Sequence, residues 1–424
     1  GGPQHLPAVQ ASSTLPLLTL SSLFVGTGVA GPNQGFPLQQ LLHGLRGRPR
    51  CGHLPLPPLQ GSEWDLLCTS QSEGSPPTLP MMIQERSAGG ERETGRKSII
   101  LSWERCAVIT KVVCDKLLAE QPAFQGCLGN VAAFVLEQGD QGACKETYEL
   151  VALGAGDVCY EGWMEFDGRK LHDLHGLVVA RRALMRYFYK QLLLCCSQDP
   201  AAFEQGIFCP VEGGEPLRLK PRCYLHLYLS QMPHGAMKKL HTPLLKSNPS
   251  VDLHVNIKGR LKPVSHCSPT MLSTHVYCAS GSDKLTRWTV LGVQGALLSH
   301  FLHPVYITSI VLADPYHNHD ILYWVLNEHL HPGPEDGFPE PYGHKKIYLF
   351  EGPPMAPLSS PTECGALSLN WCAGDEIIAN PGGGSRPSRL CKAAMLKSFR
   401  KVAQEMKRED LMLLSPYHEA KVNL

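Results

Sequence analysis

The chain has almost no excess of charge. Its 424 residues carry 39 Lys and Arg against 38 Asp and Glu, a formal net charge of +1. No global attraction to nucleic acid follows, and basic residues must cluster locally to matter. A disulfide framework is missing as well. Sixteen cysteines occur, but no Cys-x-x-Cys pair does, and the adjacent Cys195-Cys196 could not easily bridge each other. Reduced thiols in the cytosol or nucleus are the expected state. Long apolar runs are also absent. The nearest candidate, Leu15 to Ala30 (LPLLTLSSLFVGTGVA), has no basic leader and is too short and too rich in Ser, Thr and Gly to span a bilayer. A membrane partner is therefore not expected.

Residues 1–97 show no sustained periodicity. Gly47-Arg48-Pro49-Arg50, Pro55 to Pro58 and Ser75-Pro76-Pro77 interrupt any element that could form there, so a disordered Gly/Pro/Ser-rich arm is expected. One domain should fill residues 98–424. The first residue is Gly, so a natural N-terminus upstream of it is also expected.

Within 98–424 the patterning alternates between strand and helix. Trp103 to Leu118 has apolar residues at helical spacing. Val131 to Leu136 and Tyr148 to Leu153 read as strands, and Cys223 to Ser230 alternates strictly, with Leu225, Leu227 and Leu229 on one face. Residues 240–272 read as irregular. Ser282 to His303 reads as helical with a break at Gly292, and Pro304 to Ala313 as a β-branched strand. Short strands are expected at Lys346 to Phe350 and Leu367 to Trp371. A last helix is expected from Arg389 to about Met406, capped by Pro387-Ser388. This order predicts a three-layer α/β/α sandwich with a mixed sheet.

The most informative stretch is Asp173 to Phe188 (DLHGLVVARRALMRYF). It reads as a helix entered through an Asp cap. Its first turn holds one His, and Arg181-Arg182 follow among branched aliphatics, a pairing that an exposed helix would not show. Taken alone, His175 is equally well a satisfied core histidine.

The stretch resembles the metal-binding helix of the RNA adenosine deaminases, which opens His-Ala-Glu; here it opens His175-Gly176-Leu177. In that family the His binds zinc and the Glu moves protons between water, ring nitrogen and leaving amine. The second ligand lies in Pro-Cys-Gly and the third in Ser-Cys-Ser-Asp-Lys. This chain has Pro233-His234-Gly235 and Ser280-Gly281-Ser282-Asp283-Lys284 in those frames. The resemblance thus implies remnant metal positions at His175 and His234, a third ligand lost at Gly281, and the proton-shuttle position occupied by Leu177. His234 could still bind zinc. Gly281 cannot do so through a side chain, and Cys278 is the substitute that could swing in. Leu177 cannot transfer a proton, and loss of a positioned acid or base costs on the order of 10²–10⁴ in rate. A stoichiometric zinc ion and catalysis are therefore not expected. The alternative is a residual zinc-dependent RNA adenosine deaminase using His175, His234 and Cys278.

The surroundings depart from the family too. Asp157 and Val158 stand where editing enzymes carry Thr-Lys, and a carboxylate there repels phosphate. The Gly-Glu-Gly loop that fills the space of a flipped base has no counterpart in residues 250–272. The basic frames are better preserved. Arg181, Arg182, Lys284, Arg287, Trp288, Gln294, Lys392, Tyr417 and Lys421 stand where the resemblance implies a buried inositol hexakisphosphate. Independently of the resemblance, these cations lie in apolar segments, where unpaired burial costs several kcal/mol each, and a polyanion would neutralise them together. Surface arginines with local carboxylate partners are the alternative for any single one. His172 replaces a family Asn, and the family continues past the position of Leu424.

The resemblance covers about residues 103–424. Leu171 to Leu177, Ser282 to Trp288 and Leu367-Ser368-Leu369-Asn370-Trp371 make the chain most similar to the testis-type, Tenr-like adenosine deaminase domain-containing proteins. These are relatives of the editing enzymes linked to germ-cell RNA biology. Implied partners are RNA, bound weakly because no double-stranded RNA-binding module precedes the domain, and ribonucleoprotein components; DNA is not among them. The implied localisation is nucleus, cytoplasm or both.

Overall fold

The computed structural model describes residues 93–139, 146–163, 168–212, 214–239, 252–328, 338–353, 367–375, 387–414 and 420, with side chains from Trp103 onward apart from 214, 215 and 239. The expected arm lies outside the described residues up to 92. Helix α1 spans Glu93–Glu120, so ordered structure begins ahead of the expected boundary at 98.

Two strands follow, β1 (Val131–Gly139) and β2 (Glu146–Ala155), and then helix α2 (Gly176–Cys195). A short hairpin, β3 (Phe208–Val211) and β4 (Gly214–Leu219), precedes β5 (Cys223–Leu229). Three short strands, β6 (His254–Ile257), β7 (Arg260–Pro263) and β8 (Tyr277–Ala279), lead into helix α3 (Gly281–Leu291). The described elements close with β9 (Ser309–Leu312), β10 (Tyr348–Glu351), β11 (Leu369–Cys372) and helix α4 (Lys392–Glu405), with shorter helical turns between.

The main sheet has the order β10-β9-β5-β1-β2-β11. The pairs β10–β9 and β9–β5 are parallel, and β5–β1, β1–β2 and β2–β11 are antiparallel. The sheet is mixed and covered on both faces. In β1, Ala132, Phe134 and Leu136 pack into one core with Ala180, Leu184 and Phe188 of α2 and Met395 and Phe399 of α4. Val131, Ala133 and Val135 pack into another with Cys106, Ile109, Val113 and Leu117 of α1. A strand buried on both faces reads as a continuous apolar run, as Val131 to Leu136 does. In β5 the expected Leu225, Leu227 and Leu229 face the α2 side, while Tyr228 faces α1. This is the three-layer α/β/α architecture that the patterning predicts.

Four local expectations are corrected. The α2 N-cap is His175 rather than Asp173, because Asp173 pairs with Cys159 in an isolated bridge before the helix begins. The last helix is capped by Cys391, whose Sγ accepts from the Ala394 N–H at 3.4 Å; Ser388 closes only the preceding turn. The strand expected over 304–313 is hydrogen-bonded as a strand only at Ser309–Leu312. Residues 252–272 are not irregular: β6 and β7 form a hairpin turned by Lys258 (φ 50) and Gly259 (φ 65). A two-residue turn with both φ positive usually announces itself as Asn-Gly or Asp-Gly, and a Lys in the first place hid it. Among the described cysteines eleven are free thiols and Cys127 is disulfide-bonded, so the expectation of reduced thiols fails at Cys127.

The placement of α2 depends on two glycines. A Cβ on Gly154 of β2 would stand 2.2 Å from the Ala180 nitrogen and 2.5 Å from the Gly176 oxygen, and a Cβ on Gly176 would stand 2.4 Å from the Asn130 oxygen. The first turns of α2 therefore lie directly on the backbone of β2, with no room for a side chain. Gly154→Ala should destabilise the domain by about 3 kcal/mol or more, since backbone on both sides cannot yield as a side chain would. The melting temperature, followed by circular dichroism, should fall by roughly 6–12 °C; an unchanged midpoint would contradict this packing.

Candidate functional site

Three segments meet at a small pocket, partly open to solvent, lined among others by His175, Leu177, Met232, Pro233, His234, Asn256 and Gly281. The sheet brings His175 in at the start of α2 and His234 just past the end of β5. The backbone locks the frames together. Ser282 N–H donates to the His234 oxygen at 2.8 Å, and Gly235 (φ 118) leaves no space for a Cβ, which would meet Ser280 Oγ at 2.4 Å. Gly281 faces the same loop, with a Cβ position 3.3 Å from Pro233 Cβ. The sequence-predicted positions His175, His234, Gly281 and Leu177 are thus brought together. Leu177 is 5% exposed and packed in the core as well as lining the pocket.

The imidazole rings of His175 and His234 stand 5.0 Å apart between centroids. Between them sits a residue that sequence reading treated only as a phosphate-repelling carboxylate. Asp157 Oδ1 is 3.7 Å from His175 Nε2 and 3.3 Å from His234 Nε2. These three donor atoms all lie within 4.8 Å of one another. The signal in the sequence was Asp157 itself, a carboxylate directly after the Gly154-Ala155-Gly156 turn. Burial alone would raise the Asp157 carboxyl, but His234 and the Asn130 amide, which donates to Oδ1 at 3.0 Å, hold it below its ordinary 3.8. His234 Nε2 is buried and, with Asn256 Nδ2, has no hydrogen-bond partner of acceptable geometry.

Behind this group Asp173 acts as a hub. Its Oδ1 accepts from the His175 N–H at 3.1 Å and sits 2.8 Å from His175 Nδ1, and its Oδ2 accepts from Lys284 Nζ. Burial would raise the Asp173 carboxyl; the Lys284 ammonium and the His175 contacts overcome it and depress it well below the usual carboxylate range. Cys278, the substitute ligand that sequence reading allowed, does not join His175 and His234. It groups with Cys159 and Asp173, and the hydrogen bond between the two thiols, together with burial, pushes Cys159 far above its ordinary value.

The basic frames lie on α2, α3 and the start of α4. Arg181 Nε donates to the Val293 oxygen at 2.8 Å and its guanidinium lies 4.9 Å from the centre of the Trp288 ring. Arg182 Nε donates to the Leu390 oxygen at 2.6 Å. Burial lowers Arg287, and Asp283 offsets this in part. Gln294 is a brace: Nε2 donates to the Leu291 oxygen and to Ser299 Oγ, and Oε1 accepts from the Val305 N–H at 3.0 Å. Lys392 opens α4. Tyr417 and Lys421 lie outside the described residues.

Two polar clusters escaped the sequence reading, because their members lie far apart in the chain. Asp375 binds Arg186 bidentately (2.9 and 3.1 Å), Lys190, and Arg389 at 3.3 Å. This ties the middle of α2 to the turn after β11. Glu137, His226 and Ser309 form a buried chain of 2.8 and 2.7 Å contacts across β1, β5 and β9. It braces the sheet beneath α1.

The fold and the pocket are those of a deaminase-type sandwich. The model of the adenosine-deaminase (editase) domain family matches residues 152–423, and the chain belongs to that family. It is 28% identical over 309 residues to the double-stranded RNA-specific adenosine deaminase of Mus musculus, covering 64% of this chain and 26% of that protein. It is 29% identical over 349 residues to the double-stranded RNA-specific editase Adar of Drosophila melanogaster, covering 76% and 50%. It is 31% identical over 271 residues to the double-stranded RNA-specific editase B2 of Rattus norvegicus, covering 58% and 35%. The chain therefore matches between about a quarter and a half of the length of these relatives.

The Asp173–Lys284 pair gives a stability prediction. Removing one member of a buried pair leaves the other uncompensated, so Lys284→Ala should cost about 3–5 kcal/mol. A carboxyl depressed in the folded state contributes stability above its unfolded value and loses it as pH falls toward its folded value. The melting temperature of the unmodified chain should therefore drop as pH falls below the ordinary 3.8. In Lys284→Ala that dependence should be shallower, and equal slopes in the two proteins would refute the pairing.

Proposed function

We propose that this chain is a non-editing member of the adenosine-deaminase family that acts in RNA processing or ribonucleoprotein assemblies. The observation that carries this reading is Leu177, an apolar side chain in the pocket beside His175 at the position where the family's proton-shuttling Glu stands. Deamination needs water deprotonated, the ring nitrogen protonated and the leaving amine protonated. A methyl-ended side chain performs none of these transfers. The family's zinc set does not fit either. Its two Cys positions are His234 and Gly281, and Cys278 is held with Cys159 rather than with the two histidines.

An inositol polyphosphate is the cofactor of this reading. The donors suit a polyanion: Arg181 and Arg182 from α2, Lys284 and Arg287 from α3, and Lys392 at the N-terminus of the fourteen-residue α4, where the helix dipole favours negative charge. Bound there, it would supply negative charge to the arginines and Lys392, while Lys284 also pairs with Asp173. RNA and ribonucleoprotein components are the proposed partners, with RNA bound weakly, consistent with the near-neutral charge and with relatives named for double-stranded RNA. Within the family we place the chain with the testis-type, Tenr-like adenosine deaminase domain-containing proteins, nearest the second of the two, in germ cells, in the nucleus, cytoplasm or both.

Two measurements test this. Purified protein incubated with duplex RNA or transfer RNA should form no inosine above background, and Leu177→Glu alone should not create activity, because the third family ligand is still missing. Inosine that disappears in His175→Ala would overturn the reading. Purified protein should also carry a phosphorus-rich ligand. A ligand that binds only the folded state adds about 4 kcal/mol at a thousandfold excess over Kd, so Lys392→Ala should lower soluble yield far more than Lys407→Ala. Well-folded protein without phosphorus, whose melting temperature tolerates Arg182→Ala with Lys392→Ala, would remove the cofactor.

A further inference from the structure

We propose that Asp157, His175 and His234 form a metal site of their own, taking a divalent transition ion, zinc above all, through two imidazoles and one carboxylate. The inference goes beyond the non-editing reading and does not depend on it. Two of the positions are those where the family binds its ion. The third donor comes from a different element, the turn after β2, and replaces both thiolates.

Geometry carries the argument. Zinc bonds imidazole nitrogen at 2.0–2.1 Å and carboxylate oxygen at 2.0–2.2 Å, so neighbouring donors around a tetrahedral ion lie about 3.3 Å apart. Asp157 Oδ1 stands 3.3 Å from His234 Nε2 and 3.7 Å from His175 Nε2, close to that edge length before any ion draws the ligands in. His234 Nε2 is buried, and its nearest polar neighbour, Asp157 Oδ1 at 3.3 Å, lies outside good hydrogen-bond geometry. A poorly satisfied buried imidazole nitrogen is costly, and metal coordination would satisfy it.

The outer contacts agree. Asp173 receives the Lys284 ammonium and the His175 N–H, so it is an acceptor toward His175 Nδ1 at 2.8 Å. The ring proton is thereby held on Nδ1, and the Nε2 lone pair points at Asp157 and His234. A carboxylate behind a ligand histidine is the usual support of a protein metal site. The second group of donors, Cys159, Cys278 and Asp173, is a poorer candidate, because Lys284 already neutralises Asp173 and the two thiols bond to each other. Asp157 is half exposed, which gives the ion and a fourth, solvent ligand a way in. With Leu177 alongside there is no acid or base to act on such a ligand. The ion would join the end of β2, the start of α2 and the loop after β5.

The full-length chain, stripped with a chelator, would be titrated with cobalt(II) and then with zinc(II). One equivalent should bind per chain. The cobalt form should show visible ligand-field bands without the near-ultraviolet charge-transfer band that a thiolate ligand gives. Asp157→Ala and His234→Ala should each weaken binding by about a hundredfold or more, beyond the 10–100-fold typical of losing an outer-shell partner. Cys278→Ser should leave it unchanged. Melting curves of the metal-free variants report whether each folds, and His234→Ala stands in should Asp157→Ala fail. Absence of binding at micromolar metal would overturn the proposal. So would affinity that survives Asp157→Ala or His234→Ala, or a sulfur charge-transfer band abolished by Cys278→Ser.

Discussion

The structure depends most on the contact between the backbone of β2 and the first turn of α2. Gly154 and Gly176 allow the two chains to approach with no side chain between them. Gly176 N–H then donates to the Gly156 oxygen at 2.8 Å, and Leu174 N–H to the Val158 oxygen at 2.9 Å. Those bonds fix the register in which Asp157 and His175 emerge on the same side. Were the helix moved outward by one methyl group, the Asp157–His175–His234 group would open. The site is accordingly set by the backbone, and its side chains can change without disturbing the fold. That is the physical condition under which the side chains of a pocket can vary while the sandwich persists.

Behind the pocket, Asp173 couples two otherwise separate systems. One oxygen orients the imidazole of His175 and the other neutralises Lys284. Lys284 is one of the cations carried by α2, α3 and the start of α4. A change of charge in that set therefore alters how firmly Asp173 is held, and with it the orientation of the pocket histidine. Arg181 and Arg182 add stiffness differently, by donating to the Val293 and Leu390 oxygens and so tying the loops after α3 and before α4 to the buried helix.

Much of the fold was legible because its main strands are buried on both faces. Val131 to Leu136 and the Leu225-Leu227-Leu229 alternation marked the central pair, and the glycine after β2 marked its end. The hairpin at 254–263 was not legible, since four-residue strands give little periodicity and its Lys258-Gly259 turn lacks the usual Asn-Gly signal. The helix starts were misplaced because Asp173 and Ser388 look like caps, whereas His175 and Cys391 occupy the cap positions. In the site, frame resemblance located His175, His234, Gly281 and Leu177. Asp157 was weighed only for its effect on phosphate, because nothing in the chain between it and the two histidines marks the three as neighbours; in space its Oδ1 lies 3.7 Å from His175 Nε2 and 3.3 Å from His234 Nε2.

The residues of the pocket also share an electrostatic logic. A pocket that kept a Glu and two thiols but held no ion would bury ionisable groups without partners, at a cost of several kcal/mol for each charged one. Leu177 and Gly281 bury nothing that needs neutralising. The one added carboxylate, Asp157, sits half in solvent and is already engaged by Asn130. The pocket therefore carries little uncompensated charge, and its main uncompensated polar atom is His234 Nε2. An ion bound by Asp157, His175 and His234 would satisfy that atom, on a scaffold whose main support is the Gly154–Gly176 contact and the buried Asp173–Lys284 pair.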